Sequence, residues 1–270
     1  MVAKAPRLPA PGETVTGATF SVHPGGKGAN QALAAKRLGA DVFLLAMVGT
    51  DQNAAPALEL LERDGVDLSR SLRDADHPTG VALIVVDEAG ENQIAVAPGA
   101  NAHLRPPDLD LSGFDAVICQ LETPIETVTA AATSAEGLVV LNAAPAREIP
   151  QTLVDACDVI VVNEGEYATL RSKLDDSEAL VVVTLGSRGA LARRSRQEVG
   201  QAGAPRVHVV DTVGAGDTFV AALTVALLDE KPIAEALAWA CAAGALATTR
   251  AGAQPSIPTL DQLNDFLDNL

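Results

Sequence analysis

From residue 114 onward, short apolar runs alternate with segments of helical periodicity. The runs lie in "DAVICQL", "LVVLNAAP", "CDVIVVNEGEYATL" and "ALVVVTLGSRGALAR". Strands made of continuous Val, Ile and Leu are buried on both faces, and strands that alternate with helices are joined by crossover connections. This pattern restricts the chain to an α/β fold, a three-layer sandwich in which helices cover both faces of a mostly parallel central sheet.

The N-terminal segments predict a small β appendage beside this core. "GETVTGATFSVH" has the composition of short exposed strands, and "TGVALIVVDEAGENQIAVAPGAN" that of a hairpin. Between them we expect a helix in "GGKGANQALAAKRLGA", a buried strand in "DVFLLAMVG" and a helix that ends at Gly65. A last strand is expected in "VHVV". The predicted units are a core over 24–78 and 97–270, and a β appendage over 12–23 and 79–96.

Charge and cysteine content narrow the partners and the compartment. The 270 residues carry a formal net charge of −16, which repels phosphodiester backbones and anionic lipid surfaces, so we expect neither a nucleic acid nor a membrane partner. Three cysteines are an odd number, without metal-site spacing, and favour buried thiols in a reducing compartment. Since the N-terminus has no secretory signal, the expected location is the cytoplasm.

The segment "VDTVGAGDTF" places Asp211 and Asp217 six residues apart around a Gly-Ala-Gly turn that precedes an apolar helix. Glycines at such a turn let backbone N–H groups converge, and the helix dipole adds positive potential, which together favour an anion. Asp217 is then a candidate general base, or else a simple helix cap, and Asp211 a simple strand end. The segment matches neither GxGxxG nor the P-loop, which argues against a dinucleotide or P-loop site.

Two long segments, "GGKGANQALAAKRLGADVFLLAMVGTD" and "DTVGAGDTFVAALTVALL", resemble the signature segments of the ribokinase-like family of carbohydrate kinases. "PGETVTG", "TGVALIVVDEAGEN", "LETP", "APARE", "TLGSRG" and "TRAGAQPSIP" are similar to further segments of that family, in the same order. The resemblance implies a ribokinase-like sandwich, with the appendage as a lid over the sugar. It also implies ATP-dependent phosphorylation of D-ribose to D-ribose 5-phosphate.

The resemblance also implies roles for the residues of the Gly-Ala-Gly segment. Asp217 corresponds to the base that takes the proton of the sugar hydroxyl, and the amides of Gly214, Ala215 and Gly216 to the anion hole. Asp211 corresponds to a ligand of a monovalent cation, usually K⁺. The other cation ligands correspond to Val213, Ala247, Arg250, Gly252 and Ser256.

Sugar and nucleotide contacts follow from the same resemblance. The sugar-binding positions are Gly26, Lys27, Gly28, Ala29, Asn30, Glu122 and Asp217. The ATP-binding positions are Asn163, Thr184, Leu185, Gly186, Ser187, Arg188, Gly189, Gly216, Asp217 and Cys241. Glu166 would organise Mg²⁺ through water. From the residues alone, Lys27 is equally a solvated lysine, Glu122 a helix-start charge, and Asn163 with Glu166 a helix cap.

Departures from the family pattern leave alternatives open. The family begins with a buried strand and a sugar-binding Asn-x-Asp element, whereas this chain begins "MVAKAPRLPAPGETVTG", with no Asp before Glu13. A central strand, a lid strand and a sugar ligand are therefore expected to be missing. The segment between Glu166 and Val181, where the family has a full helix, is also shortened.

Three other functions compete with a ribose kinase. They are another sugar or nucleoside kinase of the family, a catalytically impaired sugar- or nucleotide-binding protein, and, least favoured, a Rossmann dehydrogenase. The family's lid also implies a homodimer formed through paired lids.

Overall fold

The computed structural model describes residues 1–105 and 109–270. The strands in this part of the chain are β1 (Val2–Lys4), β2 (Thr19–Ser21), β3 (Met47–Val48), β4 (Leu72–Arg73), β5 (Val81–Val86), β6 (Asn92–Ala97), β7 (Ala116–Gln120), β8 (Leu138–Asn142), β9 (Val159–Asn163), β10 (Leu180–Thr184), β11 (Ala190–Arg194) and β12 (Gln197–Ala202). The α-helices are α1 (Lys27–Arg37), α2 (Ala54–Asp64), α3 (Ile125–Ser134), α4 (Gln151–Asp155), α5 (Glu164–Leu174), α6 (Ala215–Leu228), α7 (Ile233–Ala247), α8 (Ala253–Ser256) and α9 (Leu260–Asp268). Short 3₁₀ turns cover Gly99–His103 and Gly186–Arg188.

The largest sheet has six strands in the order β12-β11-β10-β9-β8-β7. Strands β7 to β10 are parallel, and β11 and β12 extend the sheet in antiparallel fashion. Parallel neighbours follow from the crossover helices between them, because a parallel connection must return the chain to the same end of the sheet. The predicted α/β fold with a mostly parallel central sheet is confirmed.

Alternate residues of these strands build two cores, one on each face. In β8, Val139 and Leu141 pack with α3, α4 and α5, whereas Val140 packs with α6, α7 and α9. Strands β9 and β10 repeat this alternation. Fully burying a Val or Leu side chain contributes about 1.5–3 kcal/mol, so the continuous apolar runs are explained by two buried faces.

A second sheet, in the order β2-β1-β5-β6, contains the segments predicted for the β appendage. Strand β1 pairs antiparallel with β2 and parallel with β5, so the expectation that a lid strand is missing is wrong. Val2–Lys4 forms a strand of only three residues because both of its edges are paired. The predicted "DEAGEN" hairpin is present as β5 and β6 in antiparallel register.

Residues 41–49 form much less strand than predicted. Only β3 pairs, with β4, and Phe43 makes a single parallel bridge with Asp67. Within the described residues this segment has strand partners on one side only. Residues of this segment and of β7 line the same cavity, and β3 and β7 belong to separate sheets. An apolar segment without neighbours on both edges gains few ladder hydrogen bonds.

Two further predictions are corrected. The segment "VHVV" is not a strand, because Val210 and Asp211 donate their N–H groups to Thr248 O at the end of α7 instead of to a sheet. The shortened segment after Glu166 still forms the full helix α5, of 11 residues. No helix in the described ranges combines the length and apolar character needed to cross a membrane.

Arg37 ties the end of α1 to the loop that follows Gly252. Its Nη1 donates to Gln254 O (2.9 Å) and Ile257 O (2.8 Å), and its Nε donates to Asp64 Oδ2 (2.6 Å). Both partners of the Arg37–Asp64 ion pair are mostly buried. This clamp fixes the C-terminal end of α1 against α2 and α8.

Candidate active site

The carboxyl ends of β7 to β10 and the N-termini of α1 and α6 meet at one large cavity of about 2550 Å³. In open α/β sheets, ligands bind at this edge, where helix N-termini point inward. The cavity is lined by many of the predicted site residues, namely Gly26, Lys27, Gly28, Ala29, Asn30, Glu122, Asn163, Glu166, Thr184, Asp211, Val213, Gly214, Gly216, Asp217 and Gly252. The predicted positions that do not line it are Ala215, Leu185, Gly186, Ser187, Arg188, Gly189, Cys241, Ala247, Arg250 and Ser256.

Asp217 lies in the first turn of α6 with its carboxylate buried against α1. Its Oδ2 accepts from Asn30 Nδ2 (2.8 Å) and its Oδ1 from Gln31 Nε2 (3.1 Å). No side chain caps α6, so the alternative that Asp217 is a simple cap is wrong. Burial raises the pKa of the Asp217 carboxyl, opposed by the charge of Lys27 and by the two amide donors. A buried carboxylate with a raised pKa is a competent proton acceptor.

Lys27 opens α1 in the middle of three acids. Its backbone N–H donates to Glu122 Oε2 (2.9 Å), which joins the start of α1 to the loop after β7. Burial raises the pKa of Glu122, and the positive charge of Lys27 opposes that rise. The same charge acts on Glu166 and Asp217. Lys27 is therefore half-buried among carboxylates, and the solvated-lysine alternative is wrong.

The turn before α6 exposes backbone donors to the cavity. Gly214 has φ 83°, and a Cβ there would stand 3.0 Å from Ala253 Cα, so only glycine fits this close approach. Within the described chain, no hydrogen-bond partner is found for the N–H groups of Gly214 and Gly216, whereas Ala215 N–H donates to Thr212 O (3.3 Å). Such open amides at a helix start attract an anion.

Asp211 joins the turn before α6 to the loop before α8. Its Oδ1 accepts from Val213 N (3.0 Å) and its Oδ2 from Gly252 N (2.9 Å). Ser256, at the end of the short helix α8 that follows Gly252, is buried, and its hydroxyl donates to Ala253 O (2.8 Å). A carboxylate, a hydroxyl and backbone carbonyls are the oxygen donors that suit a hard cation. In the described part of the chain, no three or more His, Cys, Asp or Glu side chains cluster as a metal site.

The nucleotide-side positions form local structure. Asn163 and Glu166 make a reciprocal capping box at the start of α5, with N···O distances of 2.8 and 2.7 Å. Burial raises the pKa of Glu166. Leu185 N–H donates to Gly189 O (2.8 Å), which closes the turn after β10. Cys241 is buried in the core behind β12, and burial raises its pKa to about 11.

Sequence reasoning missed Gln31 and Gln120. Gln31 is 1% exposed, directly follows Asn30, and donates to Asp217. Gln120 ends β7, two residues before Glu122, and donates to Gln31 Oε1 (2.6 Å). A polar residue at the end of an otherwise apolar strand was the available signal for Gln120.

Comparison with known proteins places this arrangement in a family. The model of the pfkB family of carbohydrate kinases matches residues 1–260. The ribokinase of Haemophilus influenzae is 35% identical over 292 aligned residues, which cover 99% of this chain and 95% of that protein.

Solved structures agree with the sequence comparison. A ribokinase from Thermotoga maritima superposes with a TM-score of 0.88 at 33% identity, covering 99% of this chain and 95% of that one. Arabidopsis thaliana ribokinase, complexed with ribose and ATP, gives a TM-score of 0.87 at 29% identity, covering 98% and 94%. The chain has the ribokinase-like α/β fold, and it belongs to the pfkB family of carbohydrate kinases as a sugar phosphotransferase.

Proposed function

We propose that the protein transfers the γ-phosphoryl group of ATP to D-ribose, giving D-ribose 5-phosphate and ADP. The observation that carries this proposal is the buried carboxylate of Asp217 beside open backbone donors in the first turn of α6. The sugar's 5-hydroxyl oxygen forms a bond to the γ-phosphorus, and the bond from that phosphorus to the ADP oxygen breaks. Asp217 takes the hydroxyl proton, and the electron pair of the broken bond leaves with ADP.

The groups around Asp217 suit a polyol. Asn30 Oδ1 is buried and has no hydrogen-bond partner among the described residues, so it can accept from a sugar hydroxyl that enters the cavity. Glu122 supplies a second carboxylate to the cavity, and Gly26 and Gly28 leave room for close approach of a ligand to the backbone. Polyols need such paired donors and acceptors in a confined site.

The α6 turn neutralises negative charge at the transferred phosphoryl group. The open amides of Gly214 and Gly216 and the dipole of α6 stabilise negative charge that develops during transfer. Glu166 and Asn163 suit Mg²⁺ held through water, which would supply further neutralisation of the phosphates. Asp211, with Ser256 and the backbone oxygens of Val213, Ala247, Arg250 and Gly252, suits a monovalent cation such as K⁺.

The lid supplies closure and a surface for dimerisation. Ile84 and Ile94 are paired in register on the face that lines the cavity, whereas Phe20 and Leu83 lie outside it, 69% and 53% exposed. Closing an apolar lid excludes water, which competes with the sugar as phosphoryl acceptor. The outward apolar side chains support a homodimer formed through the lids.

We divide the protein into a lid and a core. The lid comprises residues 12–23 and 79–96 together with β1, and the core comprises residues 24–78 and 97–270. The three cysteines are free and buried, which supports a cytoplasmic protein.

The test is ADP release from Mg-ATP with D-ribose, with and without K⁺, together with ³¹P NMR of the product. Ribose-dependent, K⁺-stimulated release and a 5-phosphate signal are expected. Faster turnover of 2-deoxyribose or a nucleoside would assign another kinase of the family. ATP binding without turnover of any sugar would contradict the proposal and identify a binding protein.

A further inference from the structure

Two side chains behind Asp217, Gln31 and Gln120, continue a chain of hydrogen bonds from its carboxylate to the central sheet. Gln120 Nε2 donates to Gln31 Oε1 (2.6 Å), and Gln31 Nε2 donates to Asp217 Oδ1 (3.1 Å). Gln120 Nε2 also donates to Ile118 O (3.3 Å), a backbone carbonyl of β7. These hydrogen bonds join α6, α1 and β7, and they connect residues as far apart in the sequence as Gln31 and Asp217, which are separated by 186 positions.

The direction of this chain is fixed at its far end. A backbone carbonyl can only accept, so the Gln120 amide must turn its N–H₂ group toward Ile118. The second hydrogen of that group then meets Gln31 Oε1, which leaves the N–H₂ of Gln31 to face Asp217. A reversed Gln31 amide would set oxygen against carboxylate and nitrogen against nitrogen, so both contacts would become repulsive.

Gln31 and Asn30 hold the two oxygens of Asp217 in different ways. The free end of Asn30 is an unpartnered oxygen, whereas the far end of Gln31 is bound within the protein. A bound substrate can therefore form a hydrogen bond with Asn30 Oδ1, whereas both ends of the Gln31 amide are already bonded to protein groups. Gln31, at 1% exposure, gives Asp217 a donor that does not depend on what occupies the cavity.

We propose that Gln31 and Gln120 are positioning residues that orient the carboxylate of Asp217 and stabilise its ionised form. This inference rests on the proposed function, in which Asp217 is the base. The charged groups that face Asp217 are Lys27 on α1 and Glu122 after β7, and they remain unchanged in the variants below.

Gly28 leaves space for this arrangement. A Cβ at residue 28 would stand 3.1 Å from Gln120 Oε1, so a larger residue would displace the Gln120 amide. Gly28, in the first turn of α1, thus packs directly against the Gln120 side chain that supports Gln31.

The kinetic test compares Gln31→Met, Gln120→Met and the double variant with Gln201→Met, an exposed glutamine of β12. Gln31→Met is expected to lower kcat about tenfold and to move the acidic limb of the kcat–pH profile upward by about one pH unit. The KM for the sugar should change less than about twofold, because both ends of the Gln31 amide are bonded to protein groups.

Gln120→Met should act in the same direction but less, and the double variant should match Gln31→Met alone. Rescue of the pH profile by Gln31→Glu is not expected, since a second carboxylate would raise the pKa of Asp217 further. An acidic limb that stays with that of Gln201→Met, in folded Gln31→Met, would overturn the proposal. So would a raised KM at unchanged kcat, which would make Gln31 a sugar ligand.

A second measurement needs no turnover. Burial raises the pKa of the Asp217 carboxyl in the folded protein above its unfolded value. At low pH the carboxyl is protonated in both states and does not lower the free energy of unfolding. As the pH rises through the folded-state pKa, the buried carboxylate ionises and the free energy of unfolding falls. Gln31→Met removes a donor to the ionised form, so its destabilisation should grow over that same rise in pH. In an Asp217→Asn background the cost of Gln31→Met should not depend on pH.

Urea unfolding at several pH values measures both costs. If the parent has no kinase activity and this pH-dependent difference is present, the proposed function fails and the positioning role stands. A cost that is independent of pH in both backgrounds overturns the positioning role, whatever the activity.

Discussion

The proposed sugar side of the cavity and the proposed nucleotide side, which includes positions that do not line the cavity, are held together in different ways. On the sugar side, hydrogen bonds join residues far apart in the chain: Asn30 to Asp217 across 187 positions, and Lys27 to Glu122 across 95. On the proposed nucleotide side the contacts span shorter separations and are exposed. Asn163 and Glu166 are three residues apart, and the Arg188–Glu164 pair is exposed and spans 24.

This difference indicates how each side responds to change. The polar groups of the sugar side are buried, so removing one partner leaves another without compensation, which costs about 1–3 kcal/mol. The nucleotide side is open to water, which can replace a lost partner. Substitutions on the sugar side should therefore have large effects on turnover, and those on the nucleotide side small ones.

The largest effect is expected from Asp217→Asn. It removes the proton acceptor and should lower kcat by about 10²–10⁴ while the protein stays folded. ADP release under saturating sugar and ATP measures it, with circular dichroism as the check on folding. Asp268→Asn, at the exposed end of α9, is the matched control. Turnover equal to that control would remove Asp217 from the chemistry.

Glu122→Gln tests the second carboxylate of the proposed sugar side. The substitution keeps the shape of the side chain, but the group that accepts from the Lys27 N–H is no longer negatively charged. The KM for the sugar should therefore rise about tenfold, with a smaller change in kcat. Steady-state kinetics against sugar concentration gives both values, and Glu126→Gln on α3 serves as control because its side chain is 71% exposed. A KM within error of the control would place sugar binding elsewhere.

Asp211→Ala should reduce activation by the proposed monovalent cation without removing the proposed base, Asp217. The variant loses the carboxylate that holds Val213 N and Gly252 N. The K⁺ concentration for half-maximal activation should rise by about 10- to 150-fold, since an interaction with a charged group contributes about 1.5–3 kcal/mol and each 1.4 kcal/mol is about tenfold. Titration of activity with KCl at constant ionic strength measures it. An unchanged titration curve would move the cation site away from Asp211.

The smallest effect is expected from Arg188→Ala on the nucleotide side. It breaks an exposed ion pair with Glu164, which contributes less than about 1 kcal/mol, and the KM for ATP should rise less than about threefold. Arg194→Ala, an exposed arginine of β11, is the comparison variant. A loss as large as that of Glu122→Gln would break the contrast between the two sides.

Local signals allowed much of the fold to be predicted, together with the helix-cap alternative for Asn163 and Glu166. The capping box at Asn163, the left-handed Gly65 after α2 and the hairpin turn after β5 each depend on a few neighbouring residues. The two-sided burial of β8 to β10 follows from continuous apolar runs. These features need no knowledge of which distant segments meet.

Features set by distant partners were not predictable in the same way. Gln31 and Gln120 are ordinary polar residues until α1 is placed against β7. "DVFLLAMVG" and "VHVV" have strong strand composition, yet form little or no strand because a strand also needs paired neighbours. Conversely, Val2–Lys4 becomes a strand because β2 and β5 are available on both of its edges.

The Arg37 clamp has a mechanical consequence for the site. Helix α1 is a rod roughly 16 Å long, with Lys27 and Asn30 at one end and Arg37 at the other. Arg37 fixes the C-terminal end and the bonds to Glu122 and Asp217 fix the N-terminal end, so α1 is held at both ends and cannot pivot freely. Arg37 thus restrains, from outside the proposed sugar site, the helix that presents Lys27 and Asn30 to it.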